Sequence, residues 1–139
     1  MRALHVLLVE GHPAVRYELA RRLRHMPGID LVGVAGNLEE AMVCVTRHQP
    51  SAVVCDPRSC SAAPLSLVRC LDTLGVRVVV LTTSLREGDA QALQEAGAAA
   101  VLLKGCPLLD LQATLLATPP DAPPRRRSTP GQRGWAIVP

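Results

Sequence analysis

Short, unbroken apolar runs alternate along this chain with segments whose apolar residues recur at helical spacing. The runs LHVLLV (4–9), LVGVA (31–35), SAVVC (51–55), VRVVVLT (76–82) and AAVLL (99–103) are too short for buried helices and show no polar alternation. They read as strands covered on both sides. Between them, Val15, Leu19, Leu23 and Met26 share one face of a helix over 14–26, with Pro13 suited to its first position. Leu38, Ala41, Met42 and Val45 mark a second helix over 38–48, and Leu67, Leu71 and Leu74 a third over 65–74. A loop rich in Ser, Pro and Ala separates the third strand from that helix. A weaker helix over 86–96 turns Ala90, Leu93 and Ala96 inward and stops at Gly97, and a last one covers 107–117. Five βα units with continuously apolar strands predict an α/β fold, a parallel sheet with helices on both faces.

Composition sharpens the picture at a few points. A chain of 139 residues suits one domain with a real core. It has no Phe, and Tyr17 and Trp135 are its only aromatics, so the core is Leu, Val, Ala and Ile and base-stacking chemistry is poorly served. The net charge of +3 hides a split. Residues 1–117 hold eleven basic and eleven acidic residues, whereas 118–139 hold four Arg against Asp121. That last stretch also carries six of the twelve prolines, which predicts a domain over 1–117 and a disordered tail or linker over 118–139. Its Arg run has two readings, a solvated linker or a nucleic-acid contact. The N-terminus does not read as a signal peptide and no apolar run reaches membrane-spanning length, so a cytoplasmic protein without a membrane partner is expected. Cys44, Cys55, Cys60, Cys70 and Cys106 form no C-x-x-C pair and are expected to be reduced. Cys60 and Cys106 fall in predicted site loops, which leaves a redox role open.

In a doubly wound sheet the site lies beyond the carboxyl ends of the strands. Reading those exits in turn gives Glu10, Asp56, Thr82 and Lys104: two acids, a hydroxyl and an amine. Any one alone would mark only the point where a strand leaves the core. Lys104, however, is the single lysine beside fourteen arginines, which suggests a position needing a compact ammonium rather than a planar fork.

The stretches VLLVEGHPAVR, AVVCDP, VVVLTTS and GAAAVLLKG resemble the receiver domain of two-component response regulators, in register from about residue 4 to residue 117. The subfamily resembled is the one that usually carries a LuxR-type helix-turn-helix. The resemblance implies a flavodoxin-like five-stranded sheet ordered 2-1-3-4-5. It also implies Asp56 as phosphoacceptor, Thr82 and Lys104 as phosphate contacts, and Glu10 with Asp56 as ligands of Mg²⁺. Gly11 departs from it, standing where the family has its second acid. Losing one of three carboxylates should leave Mg²⁺ weakly bound or absent, so no cofactor is expected. On that view Gly11→Asp should raise Mg²⁺ affinity. Val101 stands in place of the aromatic that swings inward on activation, and the loop after Asp56 lacks the usual Met-Pro-Gly.

These departures favour an atypical receiver that regulates transcription without regulated aspartyl phosphorylation, contacting DNA only through an output domain beyond this chain. The alternatives are a pocket that senses a small-molecule ligand, and a conventional receiver phosphorylated at Asp56 with weakened Mg²⁺ binding. No enzyme is expected: His12 is the only histidine at a strand exit and starts the first helix. The last helix adds an expectation about assembly. Leu108, Leu111 and Leu115 form one stripe and Leu109 and Leu116 another, with Asp110 the only charge. The second stripe is either packed within the domain or a homodimer patch.

Overall fold

The computed structural model describes residues 2–60 and 63–117 and the backbone of 136–138. Strands β1 (Leu4–Val9), β2 (Ile29–Ala35), β3 (Ala52–Cys55), β4 (Arg77–Thr82) and β5 (Ala98–Leu103) alternate with helices. These are α1 (Pro13–Arg24), α2 (Leu38–His48), α3 (Pro57–Cys60), α4 (Pro64–Thr73), α5 (Asp89–Ala96) and α6 (Leu108–Leu116). The five strands are all parallel, in the order 2-1-3-4-5. The alternation predicted the parallel sheet, and this order is the flavodoxin-like one that the family resemblance implied.

Because strand side chains alternate between faces, each strand feeds two cores. Leu7, Val9, Val53, Cys55, Val78 and Val80 meet α2, α4 and α5 through Ala41, Val45, Leu67, Val68, Leu71 and Leu93. Leu4, Val6, Leu8, Val54, Val79 and Leu81 meet α1 and α6 through Ala20, Leu23, Leu111 and Leu115. Strands β3, β4 and β5, and β1 apart from His5, are nearly dry on both sides, which is why their sequences show no polar alternation, whereas β2 at the sheet edge is only partly covered.

Several expectations need correction. The stretch after β3 is not simply a loop, since Pro57–Cys60 close a helical turn. The fourth predicted helix starts at Asp89 rather than 86, behind Gly88 in the left-handed region at φ 84°. Met42, Leu74 and Leu108, assigned inward by spacing, are exposed, because α2, α4 and α6 each bury a stripe narrower than their apolar content. Most of the expected tail lies outside the described residues. Ala136–Val138 depart from it as a sixth strand, β6, parallel to β5 with Val101 opposite Ile137. Among the described residues, no helix is long and apolar enough to cross a membrane.

Candidate functional site

The strand order reverses between β1 and β3, and the exits of β1, β3, β4 and β5 converge there. Main-chain bonds fix the positions of the polar residues. The Glu10 N–H donates to the Ala35 carbonyl at 2.9 Å, the Asp56 N–H to Val9 at 3.1 Å, and the Lys104 N–H to Thr82 at 2.7 Å.

Lys104 closes the cluster. Its Nζ donates to Glu10 Oε1 and to Asp56 Oδ2, each at 2.6 Å. Glu10 is fully buried and Asp56 only 5% exposed, and the Lys104 side chain is 16% exposed. Burial alone would push the Glu10 carboxyl up. Hydrogen bonds, led by that from Lys104 and joined by the His12 N–H, more than offset this and hold it below its ordinary value. Desolvation likewise works against the charged Lys104, yet Asp56 and Glu10 together raise its pKa. Two carboxylates and one ammonium thus share a nearly dry pocket with every charge in contact with its opposite.

The remaining oxygens are also engaged. Glu10 Oε2 accepts the His12 N–H at 3.2 Å, and Asp56 Oδ1 accepts the Arg58 N–H at 3.1 Å. The second contact is an N-cap: Asp56 precedes α3, Pro57 holds its first position, and the Asp side chain satisfies an otherwise orphaned donor. The dipeptide Asp56-Pro57 carried this signal in the sequence, under a composition that reads as loop. Ser59 ties the turn down further, donating its hydroxyl to the Asp56 carbonyl and accepting the Gly11 N–H, both at 3.0 Å. Arg58 reaches across to the Ser84 carbonyl at 3.2 Å and pairs with Asp89 at the start of α5. Sequence reasoning missed Arg58, Ser59, Ser84 and Asp89, because only the folded chain brings these segments together.

Thr82 lies in the same region, 2% exposed, and its Oγ1 has no hydrogen-bond partner among the described residues. Val101 is fully buried in the core on the α2, α4 and α5 side of the sheet. The thiols of Cys60 and Cys106 are free, and burial pushes both pKa values up, opposite to what an activated thiolate needs. Leu109 and Leu116 are exposed at 75% and 47%, on the outer side of α6. Leu108 and Leu109 border a groove of about 560 Å³ whose other wall is the end of α1, with Arg21, His25 and Met26.

Gly11 is more than a missing carboxylate. A Cβ added there would lie 1.9 Å from the Ser59 carbonyl oxygen and 2.6 Å from its carbon. The expectation that Gly11→Asp restores a ligand therefore meets main chain in the space the side chain needs.

A doubly wound parallel sheet of five strands, with acids leaving the first and third, a hydroxyl the fourth and a lysine the fifth, defines a receiver-type signalling domain. The chain belongs to the response regulator receiver domain family of two-component signalling, which it matches over residues 6–116. It is 28% identical over 107 residues to the transcriptional regulatory protein PdtaR of Mycobacterium tuberculosis, covering 76% of this chain and 52% of that protein. It is 29% identical over 110 residues to the response regulator GacA of Pseudomonas protegens, covering 78% and 52%. The chain thus spans about half the length of these curated relatives. Among solved structures, the response regulator ChrA of a heme-sensing two-component system is 30% identical with a TM-score of 0.69, over 84% of this chain and 57% of that one. The signal receiver domain of NarL from Mycobacterium tuberculosis superposes with a TM-score of 0.75 at 19% identity, over 84% and 96%, which speaks to the fold alone.

Proposed function

We propose that this receiver domain controls transcription in a two-component system without regulated phosphoryl transfer to Asp56. The observation that carries the reading is Lys104, whose ammonium sits 2.6 Å from both Glu10 and Asp56 and supplies the positive charge the carboxylates need. Gly11 offers no third carboxylate, so charge developing on a transferring phosphoryl group lacks its usual metal stabiliser. Mg²⁺ is accordingly weakly held or absent. The domain then serves signalling through assembly or an output domain. DNA contact belongs to such an output domain or partner, in keeping with the longer relatives named as transcriptional and response regulators. The natural assembly partner is a second copy of the chain, meeting its own Leu109 and Leu116 across a twofold axis.

An NMR titration of the chain with Mg²⁺ and beryllofluoride, a phosphoryl mimic, tests the reading. Amide shifts at Asp56, Thr82 and Lys104 should remain unchanged at millimolar Mg²⁺. Saturable shifts there, or stoichiometric Mg²⁺-dependent modification of Asp56 by acetyl phosphate, would reject it in favour of a conventional receiver. A second reading, in which the pocket takes a small-molecule ligand, draws on the buried, unpartnered Thr82 hydroxyl. Shifts at Thr82 on adding a bacterial metabolite extract, without Mg²⁺, would favour it.

A further inference from the structure

We infer that the α3 turn is a plug seated on Gly11, so that main chain, and not only the lost acid, keeps a divalent cation out of this pocket. The inference rests on the proposed phosphorylation-independent reading and gives it a mechanical cause. Gly11 is not among the glycines with positive φ, so its backbone does not demand glycine. Space does. The nearest atoms to a Cβ at this position are the Ser59 carbonyl oxygen and carbon at 1.9 and 2.6 Å and the Cys60 Cα at 3.2 Å. These are backbone atoms, which cannot swing aside as the end of a flexible side chain would.

The turn is anchored wherever it could lift. Asp56 Oδ1 caps it through the Arg58 N–H, and Ser59 Oγ links it to both Gly11 and Asp56. On its outer side the Arg58 guanidinium latches it to Ser84 and Asp89, in the segment leading into α5. Beneath it, each carboxylate oxygen of Glu10 and Asp56 already accepts one hydrogen bond, two from Lys104 and two from the His12 and Arg58 N–H groups, so a cation would have to compete with the Lys104 ammonium. Mg²⁺ demands about six oxygens in near-octahedral array. This donor set does not fit it, and among the described residues no group of three or more His, Cys, Asp or Glu side chains is placed to hold a metal. An acid introduced at position 11 would have to displace the plug before it could reach a cation.

The test compares two backgrounds of the full chain: the native turn, and a loosened turn carrying Pro57→Gly, Arg58→Gly and Ser59→Gly. In the native background Gly11→Ala should lower Tm by about 5–10 °C, as overpacking against fixed main chain does. In the loosened background the same substitution should cost less than about half of that. Isothermal calorimetry with Mg²⁺ should show no gain for Gly11→Asp alone, and at least about a tenfold gain when Gly11→Asp is combined with the loosened turn. A neutral Gly11→Ala in the native background, or an equal Tm loss in both, overturns the plug. So does a Gly11→Asp chain that gains Mg²⁺ affinity with the native turn in place. If Gly11→Asp does not fold, the paired Tm values of Gly11→Ala decide alone. Failure here leaves the wild-type beryllofluoride result untouched, so plug and proposed function fail separately.

Discussion

Replacing Lys104 by Met isolates the charge at the centre of the pocket, because the thioether keeps most of the apolar stem and its packing. It leaves Glu10 and Asp56 as two nearly dry carboxylates with no cation between them. Removing one partner of a buried ion pair typically costs about 3–5 kcal/mol. The pocket has one escape: one of the two acids can take up a proton and donate it to the other. For a carboxyl with an ordinary pKa of about 4.3, protonation at pH 7 costs about 3.7 kcal/mol, and at pH 5 only about 1 kcal/mol. Lys104→Met should therefore lose about 3–4 kcal/mol at pH 7, a large part of the roughly 5–15 kcal/mol that holds a domain together. At pH 5 the loss should shrink to about 1 kcal/mol. The sign follows from proton linkage. The folded variant holds a proton that its unfolded chain releases above pH 5, so its stability rises as pH falls. Urea denaturation of wild type and variant at both pH values provides the assay. A loss below about 1 kcal/mol at pH 7, or an equal loss at both pH values, would refute the reasoning.

Other expectations follow from the same geometry. Wild-type stability should fall as pH drops below the ordinary Glu10 value of 4.5, because the folded carboxyl resists the proton that the unfolded chain accepts. It should fall again as pH rises past 10.5, where the unfolded lysine gives up a proton that folded Lys104 retains; a denaturation series showing no loss at either limb contradicts the charge cluster. Asp56→Asn keeps an oxygen for the Arg58 N–H, whereas Asp56→Ala removes the cap, so Ala should be less stable than Asn by about 1 kcal/mol in chemical denaturation. Leu109→Glu with Leu116→Glu should shift the molecular mass in light scattering at micromolar concentration from dimer to monomer while thermal stability changes little. A wild-type chain that is already a strict monomer rejects the homodimer.

The alternation of strand and helix was legible because most strands are dry on both faces and each helix is punctuated by Pro, Gly or Asn, whereas the order of the strands came from the family resemblance. The four exit residues were legible for a related reason: polar side chains such as Glu10 and Lys104 stand out against continuous apolar runs. Helix faces were read less well. Met42, Leu74 and Leu108 fit the helical period, but period alone cannot say how wide a stripe the neighbours cover. The α3 turn hid behind the Ser, Pro and Ala of its sequence, and three residues of β6 hid in a stretch whose prolines argue against structure. Gly11 shows the limit most clearly. Its lack of a carboxylate can be read from one letter, whereas its need for space depends on Ser59, 48 positions away.

Asp56 ties the two halves of the site together, because its two oxygens perform different tasks. Oδ1 caps the turn that covers Gly11, and Oδ2 faces the ammonium that neutralises the pocket. In an active phosphoacceptor one of these oxygens must be free to attack, and the product must be accommodated where the old contact was. A group added at Oδ1 would uncap α3 and force the turn away from Gly11. A group added at Oδ2 would displace Lys104 from a contact shared with Glu10 and leave that buried acid to find another partner. Neither change is local, since the turn is latched through Arg58 to the start of α5 and Lys104 is hydrogen-bonded through its backbone to the end of β4. The residue at the phosphoacceptor position that the family resemblance implies thus also caps the turn over Gly11 and faces Lys104. On the proposed reading, modification of Asp56 and the closed arrangement of Gly11, α3 and Lys104 are therefore alternative states of one pocket.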